Sequence, residues 1–252
     1  MEIAPVVPRA EPLRLGVFGA SIVEGLGVGP ARWPQMLGEL LGAELIDYSH
    51  TGFTASHYLS RYRAHPRAVD LMIVACGGAE PMPRLHPWVR DRLPRRWRPL
   101  GWMDPRPFHS ARRRRRLLEQ VESGVRWRLQ RLLRGLTGSR VLMSSAEYVA
   151  ALESLLALVR RDSPDAVVVL LHTGHAAHPS FRAARRGIDA YERAARRIPG
   201  QVSLSSRSFL EPVDDYLLDR FHPNAVGHQR IALGLLPLVE RLLAHRDAGR
   251  SR

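Results

Sequence analysis

Arg14-Leu-Gly-Val-Phe-Gly-Ala-Ser21-Ile-Val-Glu-Gly-Leu-Gly27 changes from an apolar to a glycine-rich sequence at a single serine, Ser21. The short apolar run before Ser21 leaves no room for a helix and is typical of a strand buried in a parallel sheet. The glycines after it allow a sharp turn, and Pro30 opens a pattern with apolar residues three and four apart, which predicts a helix. Ser21 therefore stands where a strand ends. Ligands of open α/β sheets bind there, so Ser21 is either a presented nucleophile or a serine that only caps the turn.

Four further stretches have the composition of short buried strands, and helical patterns separate most of them. The strands are expected at residues 44–49, 70–76, 165–171 and 201–204, and the helices at 144–162, 180–198 and 224–245. Strands that alternate with helices form a parallel sheet with right-handed crossovers and helices on both faces. The sequence therefore predicts an α/β fold over residues 1–252, a three-layer α/β/α sandwich around a five-stranded parallel sheet.

The positive charge of the chain is confined to one segment. The formal net charge is +14, and residues 81–143 hold 17 arginines against 4 acidic residues, a net of +13. All basic residues are arginine and none is lysine, which reflects genome composition as much as any ligand. The arginine count alone is therefore no evidence for phosphate binding, and the charge is a property of this segment rather than of the whole surface.

Neither a metal nor another cofactor is expected. The single cysteine, Cys76, excludes an intramolecular disulfide and any zinc site of paired cysteines, and its place at a strand end indicates a small buried residue. His172, His175 and His178 follow a predicted strand without an accompanying carboxylate, so one or two of them are expected to line a crevice rather than to bind a metal. The chain has no secretory signal and no apolar run long enough to span a membrane, and we expect a cytoplasmic protein.

A second chemical signal lies near the C-terminus, in Asp219-Arg-Phe-His222. An aspartate three residues before a histidine, on a loop, can accept the imidazole Nδ1–H while Nε2 faces a serine hydroxyl. The alternative is a segment that enters the last helix with both side chains on the surface. Taken alone, neither this segment nor Ser21 decides between a catalytic and a structural role.

Four short blocks occur in a fixed order along the chain. They are Gly19-Ala-Ser21, Gly52, Gly77-Gly-Ala-Glu80 and Asp219-Arg-Phe-His222. Each block follows a predicted strand or precedes the last helix. In this order and placement the chain resembles the SGNH (GDSL-type) hydrolase superfamily, over residues 13–80 and 144–245.

The resemblance implies a flavodoxin-like sheet and a serine ester hydrolase that works through an acyl-enzyme. Ser21 would be the nucleophile, His222 the general base and then acid, and Asp219 the group that fixes the tautomer of His222. The backbone N–H groups of Ser21 and Gly52 would donate to the oxyanion. The substrate would be a small or lipid-like ester, which leaves esterase, lipase and carbohydrate-ester deacylase activities open.

The third block departs from the pattern of the superfamily. Ala79 stands where the family has an oxyanion-hole asparagine, and Glu80 stands at the aspartate position. The loss of one oxyanion donor typically lowers the rate by about 10²–10³. The departure leaves two alternatives to a hydrolase, a weak or inactive protein that binds a ligand or serves as a scaffold, and an acyltransferase. Residues expected to line the substrate pocket are Gly78, Glu80, His172 and His175.

Residues 81–143 form an arginine-rich insertion that the family pattern does not require. From Ser110 onward its apolar residues recur every three or four positions and predict one amphipathic helix, with the stripe Leu118, Val121, Val125, Leu129, Leu132 and Leu136. Such a helix can act as a cap or lid over the crevice, or residues 112–134 can contact an anionic membrane surface or an acidic substrate. Nucleic acid is the least favoured partner.

Overall fold

The computed structural model describes residues 12–98, 113–173, 182–217 and 221–250, and the structural statements below concern these residues. The strands are β1 (Arg14–Gly19), β2 (Glu44–Asp47), β3 (Leu71–Ala75), β4 (Val167–His172) and β5 (Val202–Ser205). They form one sheet in the order β2-β1-β3-β4-β5, and every neighbouring pair is parallel. The expected five-stranded parallel sheet is confirmed.

Helices of very different lengths surround the sheet. They are α1 (Ser21–Glu24), α2 (Trp33–Leu41), α3 (Ala55–Ala64), α4 (Pro87–Arg90), α5 (Arg113–Thr137), α6 (Ser145–Asp162), α7 (Arg182–Ala195) and α8 (Ala225–Arg250). Two single 3₁₀ turns lie at Arg95–Trp97 and Ser206–Ser208. The strand–helix alternation read from the sequence is thus present. The predicted boundaries lie within three residues of the observed ones, except that α8 extends five residues beyond its predicted end at 245.

The helices form two layers, one on each face of the sheet. Helices α2 and α8 cover one face, where Trp33, Leu37 and Ile231 are fully buried. Helices α3, α6 and α7 cover the other face through side chains such as Tyr58 and Leu155. Because both faces are covered, the central strand β3 is buried along its whole length, and its sequence is continuously apolar.

Helix α2 begins later than the sequence predicts, at Trp33 instead of Pro30. Residues 25–29 contain three glycines with positive φ, which hold the chain in successive turns. Arg32 is still extended and forms the N-cap, and Pro34 takes the place in the first helical turn that Pro30 was expected to fill. The three glycines therefore extend the turn that follows Ser21.

The insertion at residues 81–143 leaves and re-enters the fold at one place. Arg84 and Arg140 form an antiparallel pair in which each backbone N–H donates to the other residue's carbonyl, at 2.7 and 2.9 Å. Two residues further on, the N–H of Leu142 donates to the carbonyl of Glu80 at 3.0 Å. The two ends of the insertion are therefore hydrogen-bonded to each other, next to the loop that follows β3.

Helix α5 carries the predicted apolar stripe, but most of the stripe faces solvent. The exposed fractions are 72% for Leu118, 66% for Val121, 48% for Val125, 60% for Leu132 and 75% for Leu136. The opposite side of the helix lies against the body, where Gln130 is buried and the Arg134 guanidinium donates to the carbonyl of Pro83 at 2.8 Å. The amphipathic helix is thus turned with its polar side inward. Within the described ranges, no helix is long and apolar enough to cross a bilayer.

Candidate active site

Ser21 lies at the carboxyl end of β1, as the first residue of the four-residue helix α1. The carbonyl of Ala20 accepts the N–H groups of Val23 and Glu24, so the chain turns into the helix directly at the serine. Gly25 ends the helix in the left-handed conformation. The half-buried Ser21 side chain is thereby presented at the edge of the sheet.

His222 reaches Ser21 from the loop before α8. The distance between Ser21 Oγ and His222 Nε2 is 2.8 Å, which is a hydrogen bond, and the His222 side chain is only 4% exposed. The loop is held by the N–H of Leu217, which donates to the His222 carbonyl at 2.8 Å, and by Asn224, whose side chain accepts the N–H of Gly227 and caps α8. Two residues 201 positions apart in the chain are therefore brought into direct contact.

The third expected member of the site, Asp219, lies outside the described residues. Its contact with the other ring nitrogen of His222 stays a prediction. The geometry on which the site rests is therefore a serine–histidine pair.

The loop after β2 is fixed beside Ser21. The N–H of His50 donates to the carbonyl of Gly19 at 3.0 Å, and the N–H of Thr51 donates to the carboxylate of Glu24 at 2.5 Å. Gly52 follows with φ of 85°, a conformation that favours glycine. Among the backbone hydrogen bonds of the described residues, none is donated by the N–H of Ser21 or of Gly52. Both groups can therefore donate to a ligand.

Glu80 is a buried carboxylate that ties two loops of the site together. Its oxygens accept the N–H of Gly77 at 3.1 Å and the N–H of Ala55, at the start of α3, at 3.2 Å. The side chain is 2% exposed, and burial raises the pKa of its carboxyl while the backbone N–H groups oppose that rise. Glu80 thus borders the expected pocket, but its carboxylate holds the loop after β3 against the loop that carries Gly52.

A narrow cleft of about 20 Å³ opens beside Ser21. Its walls include Ser21, Gly77, Gly78, Ala79, Thr173 and Phe221. The conformation of Gly77 has φ of 91°, and a Cβ there would lie 2.7 Å from the Tyr148 hydroxyl, so glycine is required at this wall. Ala79 faces the cleft with only a methyl group. Among the described residues, the hydroxyl of Thr173 is a polar side-chain group at this wall that the sequence interpretation missed.

His172 does not line the cleft, in contrast to the expectation from the sequence. It is the last residue of β4, and its Nε2 lies 2.7 Å from the hydroxyl of Ser203 on the neighbouring strand. Burial lowers the pKa of His172 to about 4, so the ring is neutral at pH 7. Strand β4 extends one residue further than predicted, so Thr173 takes the place beside the cleft. His175 lies outside the described residues.

Cys76 is buried at the end of β3, and burial raises the pKa of its thiol well above the ordinary value. The residue is therefore a neutral part of the core rather than a thiolate nucleophile. No group of three histidine, cysteine, aspartate or glutamate side chains with metal-binding geometry occurs in the described ranges.

The sequence of the chain matches a known protein family. The GDSL-like Lipase/Acylhydrolase family matches residues 17–230. The chain belongs to this family. The match spans Ser21 and His222 together, and therefore includes both residues of the observed contact. A search of curated protein sequences found no significant match.

Solved structures share the GDSL fold at low sequence identity. A GDSL-like protein from Bacteroides ovatus ATCC 8483 aligns with a TM-score of 0.56 and 14% identity over 92% of this chain and 54% of its own. Phospholipase A1 from Streptomyces albidoflavus NA297 aligns with a TM-score of 0.52 and 15% identity over 92% and 99%. A family two carbohydrate esterase from Clostridium thermocellum, solved with cellohexaose, aligns with a TM-score of 0.52 and 12% identity over 94% and 67%. The chain thus spans about half the length of the Bacteroides protein, and these likenesses show the fold alone.

A buried histidine next to the site makes stability depend on pH. His228 is fully buried on α8, its Nδ1 accepts the N–H of Trp33 at 3.2 Å, and burial lowers its pKa to about 4. The unfolded chain has a histidine pKa of about 6.5, so between pH 6.5 and 4 only the unfolded state takes up this proton. The contribution of the neutral His228 ring to the free energy of unfolding is therefore complete above pH 6.5, and it is lost as the pH falls towards 4.

We predict that His228→Asn flattens the pH dependence of the free energy of unfolding, because the asparagine oxygen can accept the Trp33 N–H without titrating. The difference between pH 7 and pH 4 should shrink by about 3 kcal/mol at most. Urea unfolding at both pH values measures it. The control is His65→Asn, at an exposed histidine, which should leave the slope unchanged. Parallel pH curves for the wild type and His228→Asn would contradict the burial of a neutral ring.

Proposed function

We propose that the protein is a serine-dependent ester hydrolase in which Ser21 is the nucleophile and His222 the general base. The observation that carries the proposal is the 2.8 Å contact between Ser21 Oγ and His222 Nε2 at the mouth of a cleft. A serine hydroxyl is a weak nucleophile at neutral pH unless an adjacent base accepts its proton. Membership of the GDSL-like lipase/acylhydrolase family supports acyl esters as the substrate class.

In the proposed reaction, Ser21 Oγ attacks the ester carbonyl and its proton passes to His222 Nε2. The carbonyl oxygen becomes an oxyanion, which the N–H groups of Ser21 and Gly52 stabilise. The intermediate expels the alcohol, which takes the proton from His222, and leaves an acyl group on Ser21. Water then attacks the acyl-enzyme, with His222 accepting its proton and returning it to Ser21. Asp219 is proposed to hold the tautomer of His222.

The narrowness of the cleft supports a short acyl group. A volume of about 20 Å³ holds little more than one water-sized probe. A short acyl group such as acetyl therefore requires less widening of the cleft than a long chain does. An acetyl ester is therefore the first substrate to test, with either a sugar or a lipid-like alcohol. If an alcohol can displace water at the acyl-enzyme, the same site supports acyl transfer, which competition between acceptors measures.

Labelling by a fluorophosphonate tests the nucleophile. We predict that the reagent adds one phosphonyl group to Ser21, and that Ser21→Ala loses both the adduct and the hydrolysis of 4-nitrophenyl acetate. The half-buried hydroxyl contributes little to the core, so the melting temperature should stay close to that of the wild type. Ser60→Ala, at an exposed serine on α3, is the matched control and should keep both properties. A protein that is folded, unlabelled and inactive towards acyl esters would instead be a binding or scaffold member of the family.

Ala79 provides a test of the oxyanion hole. We predict that Ala79→Asn raises kcat more than it changes KM, because the new carboxamide faces the cleft and its hydrogen bond strengthens only as charge develops. The gain approaches about 10² if the geometry is already correct. Steady-state kinetics on 4-nitrophenyl acetate measures it, with Ala79→Leu as a control of similar size that donates nothing. A loss of activity in Ala79→Asn would show that the alanine makes room for the substrate.

We further propose that α5 contacts an anionic lipid surface. Its exposed apolar stripe is flanked by arginines, and the helix carries eight arginines and two glutamates, a net charge of +6. Exposed Arg114 and Arg128 lie on the same side as the stripe. A helix with this arrangement binds in the plane of a membrane, where its apolar side chains enter the interface and its guanidinium groups meet acidic headgroups. Charge complementarity therefore favours a lipid surface over a second copy of this basic chain.

Vesicle sedimentation tests this surface. We predict binding to vesicles that contain phosphatidylglycerol, weak binding to pure phosphatidylcholine, and a loss of binding as salt is raised. Replacing Leu118 and Leu136 by glutamine should weaken binding about tenfold or more, because both side chains lose their apolar contact with the bilayer. Leu233→Gln, at a half-exposed leucine on α8, is the control. Equal binding by the double variant and by Leu233→Gln would contradict the proposal, and so would a dimer in solution that the double variant disrupts.

A further inference from the structure

A second and larger cavity lies at the base of the insertion, outside the cleft beside Ser21. Its volume is about 200 Å³, roughly ten times that of the cleft. Its walls come from the segment before α4, the 3₁₀ turn at Arg95–Trp97, one side of α5, and the strand-like residues 140–142. The cavity is therefore built almost wholly from the insertion, which the proposed ester chemistry does not use.

Four arginines line this cavity, and its described lining residues include no aspartate or glutamate, although Arg90 forms an ion pair with Asp91 at 3.0 Å. The arginines are Arg84, Arg90, Arg98 and Arg140. Arg84 and Arg140 form the hydrogen-bonded antiparallel pair that closes the insertion, and in such a pair both side chains leave on the same face. Like charges placed directly opposite each other destabilise a pair of strands. An anion bound between the Arg84 and Arg140 side chains would be attracted by both charges.

The arginines are also held in place. Arg98 lines the cavity, and its Nε donates to the carbonyl of Leu93 at 2.7 Å, which holds the side chain in place. Burial lowers the pKa of Arg84, while the charge of Glu80 opposes that change. A guanidinium that is already desolvated and positioned loses less entropy when it binds an anion than a free surface side chain does.

The rest of the wall is apolar or aromatic. Leu85, Leu142 and the ring of Trp97 contribute to it, and Trp97 is positioned by its Nε1–H, which donates to Glu122 at 2.8 Å. Gln130, which is 9% exposed, adds one amide group. The cavity therefore combines cationic side chains with aromatic and aliphatic ones, and a bare inorganic ion would fill only part of its volume of about 200 Å³.

We propose that this cavity binds an organic phosphate, whose phosphate group is held by Arg84, Arg98 and Arg140 and whose apolar body packs against Trp97. Phosphate oxygens match the planar fork of guanidinium N–H groups, and several arginines can share one phosphate. The inference does not depend on the ester hydrolase proposal, because no atom of Ser21 or His222 belongs to this cavity.

Isothermal titration with 1-naphthyl phosphate tests the proposal on the intact chain. Binding of one molecule per protein is expected, at least about tenfold tighter than that of inorganic phosphate or of 1-naphthol, since each lacks one half of the ligand. Arg140→Gln and Arg98→Gln should each weaken binding about tenfold. Arg241→Gln, which removes an exposed arginine from α8, should leave affinity unchanged, and so should prior labelling of Ser21 with a fluorophosphonate.

Three results would overturn the proposal. If 1-naphthol binds as tightly as its phosphate, the cavity is only an apolar pocket. If Arg241→Gln weakens binding as much as Arg140→Gln, the attraction is that of the whole basic chain. If labelling of Ser21 prevents binding, the ligand occupies the catalytic cleft. Circular dichroism of Arg140→Gln checks that the variant is folded, and Arg98→Gln, whose substitution leaves the Arg84–Arg140 backbone pair intact, gives an independent readout.

Discussion

The parallel pairing of β1 with β2 and β3 is the constraint on which the site depends. Because neighbouring strands run in the same direction, their carboxyl ends meet at one edge of the sheet. Ser21 and the glycines after β3, nearly sixty positions apart in the chain, line one cleft, and the loop that carries Gly52 is hydrogen-bonded to Gly19 and Glu24. Strand β4 adds Thr173 at the same edge, and only His222 has to be supplied by a separate loop.

The buried carboxylate of Glu80 holds two loops of this edge together, although its burial removes the water that would otherwise hydrate it. A charged group in the interior is tolerated only when hydrogen bonds replace its water, and Glu80 obtains them from backbone N–H groups of two different loops. Its position at the start of α3 is also favourable for a negative charge. The pairing of strands brings the loops close, and Glu80 fixes the distance between them. Ala79, the neighbour of Glu80 in the chain, offers only a methyl group to the proposed oxyanion hole.

The sequence predicts the parts of the molecule that local pattern controls. The apolar runs of β1, β3 and β4 specify buried strands, and the order of the four blocks indicates the contact between Ser21 and His222 before any coordinates are known. What it does not predict depends on tertiary context. The sequence does not show which residue ends β4. Because the strand continues one residue further than predicted, His172 lies in the sheet and Thr173 lies beside the cleft. The spacing of the apolar residues on α5 is predicted correctly, but no local pattern indicates whether this stripe packs against the rest of the protein or faces solvent. The role of Glu80 requires two loops that are distant in sequence.

Direct detection of an acyl group on Ser21 during turnover is the measurement that tests the central claim. The protein is mixed with 4-nitrophenyl acetate, quenched in acid at short times, digested and analysed by mass spectrometry. We predict a burst of 4-nitrophenol equal to the enzyme concentration and an added acetyl group on the peptide that contains Ser21. Turnover without a burst or an acetylated peptide, at a rate that Ser21→Ala retains, would contradict the claim that the contact between Ser21 and His222 is a catalytic one.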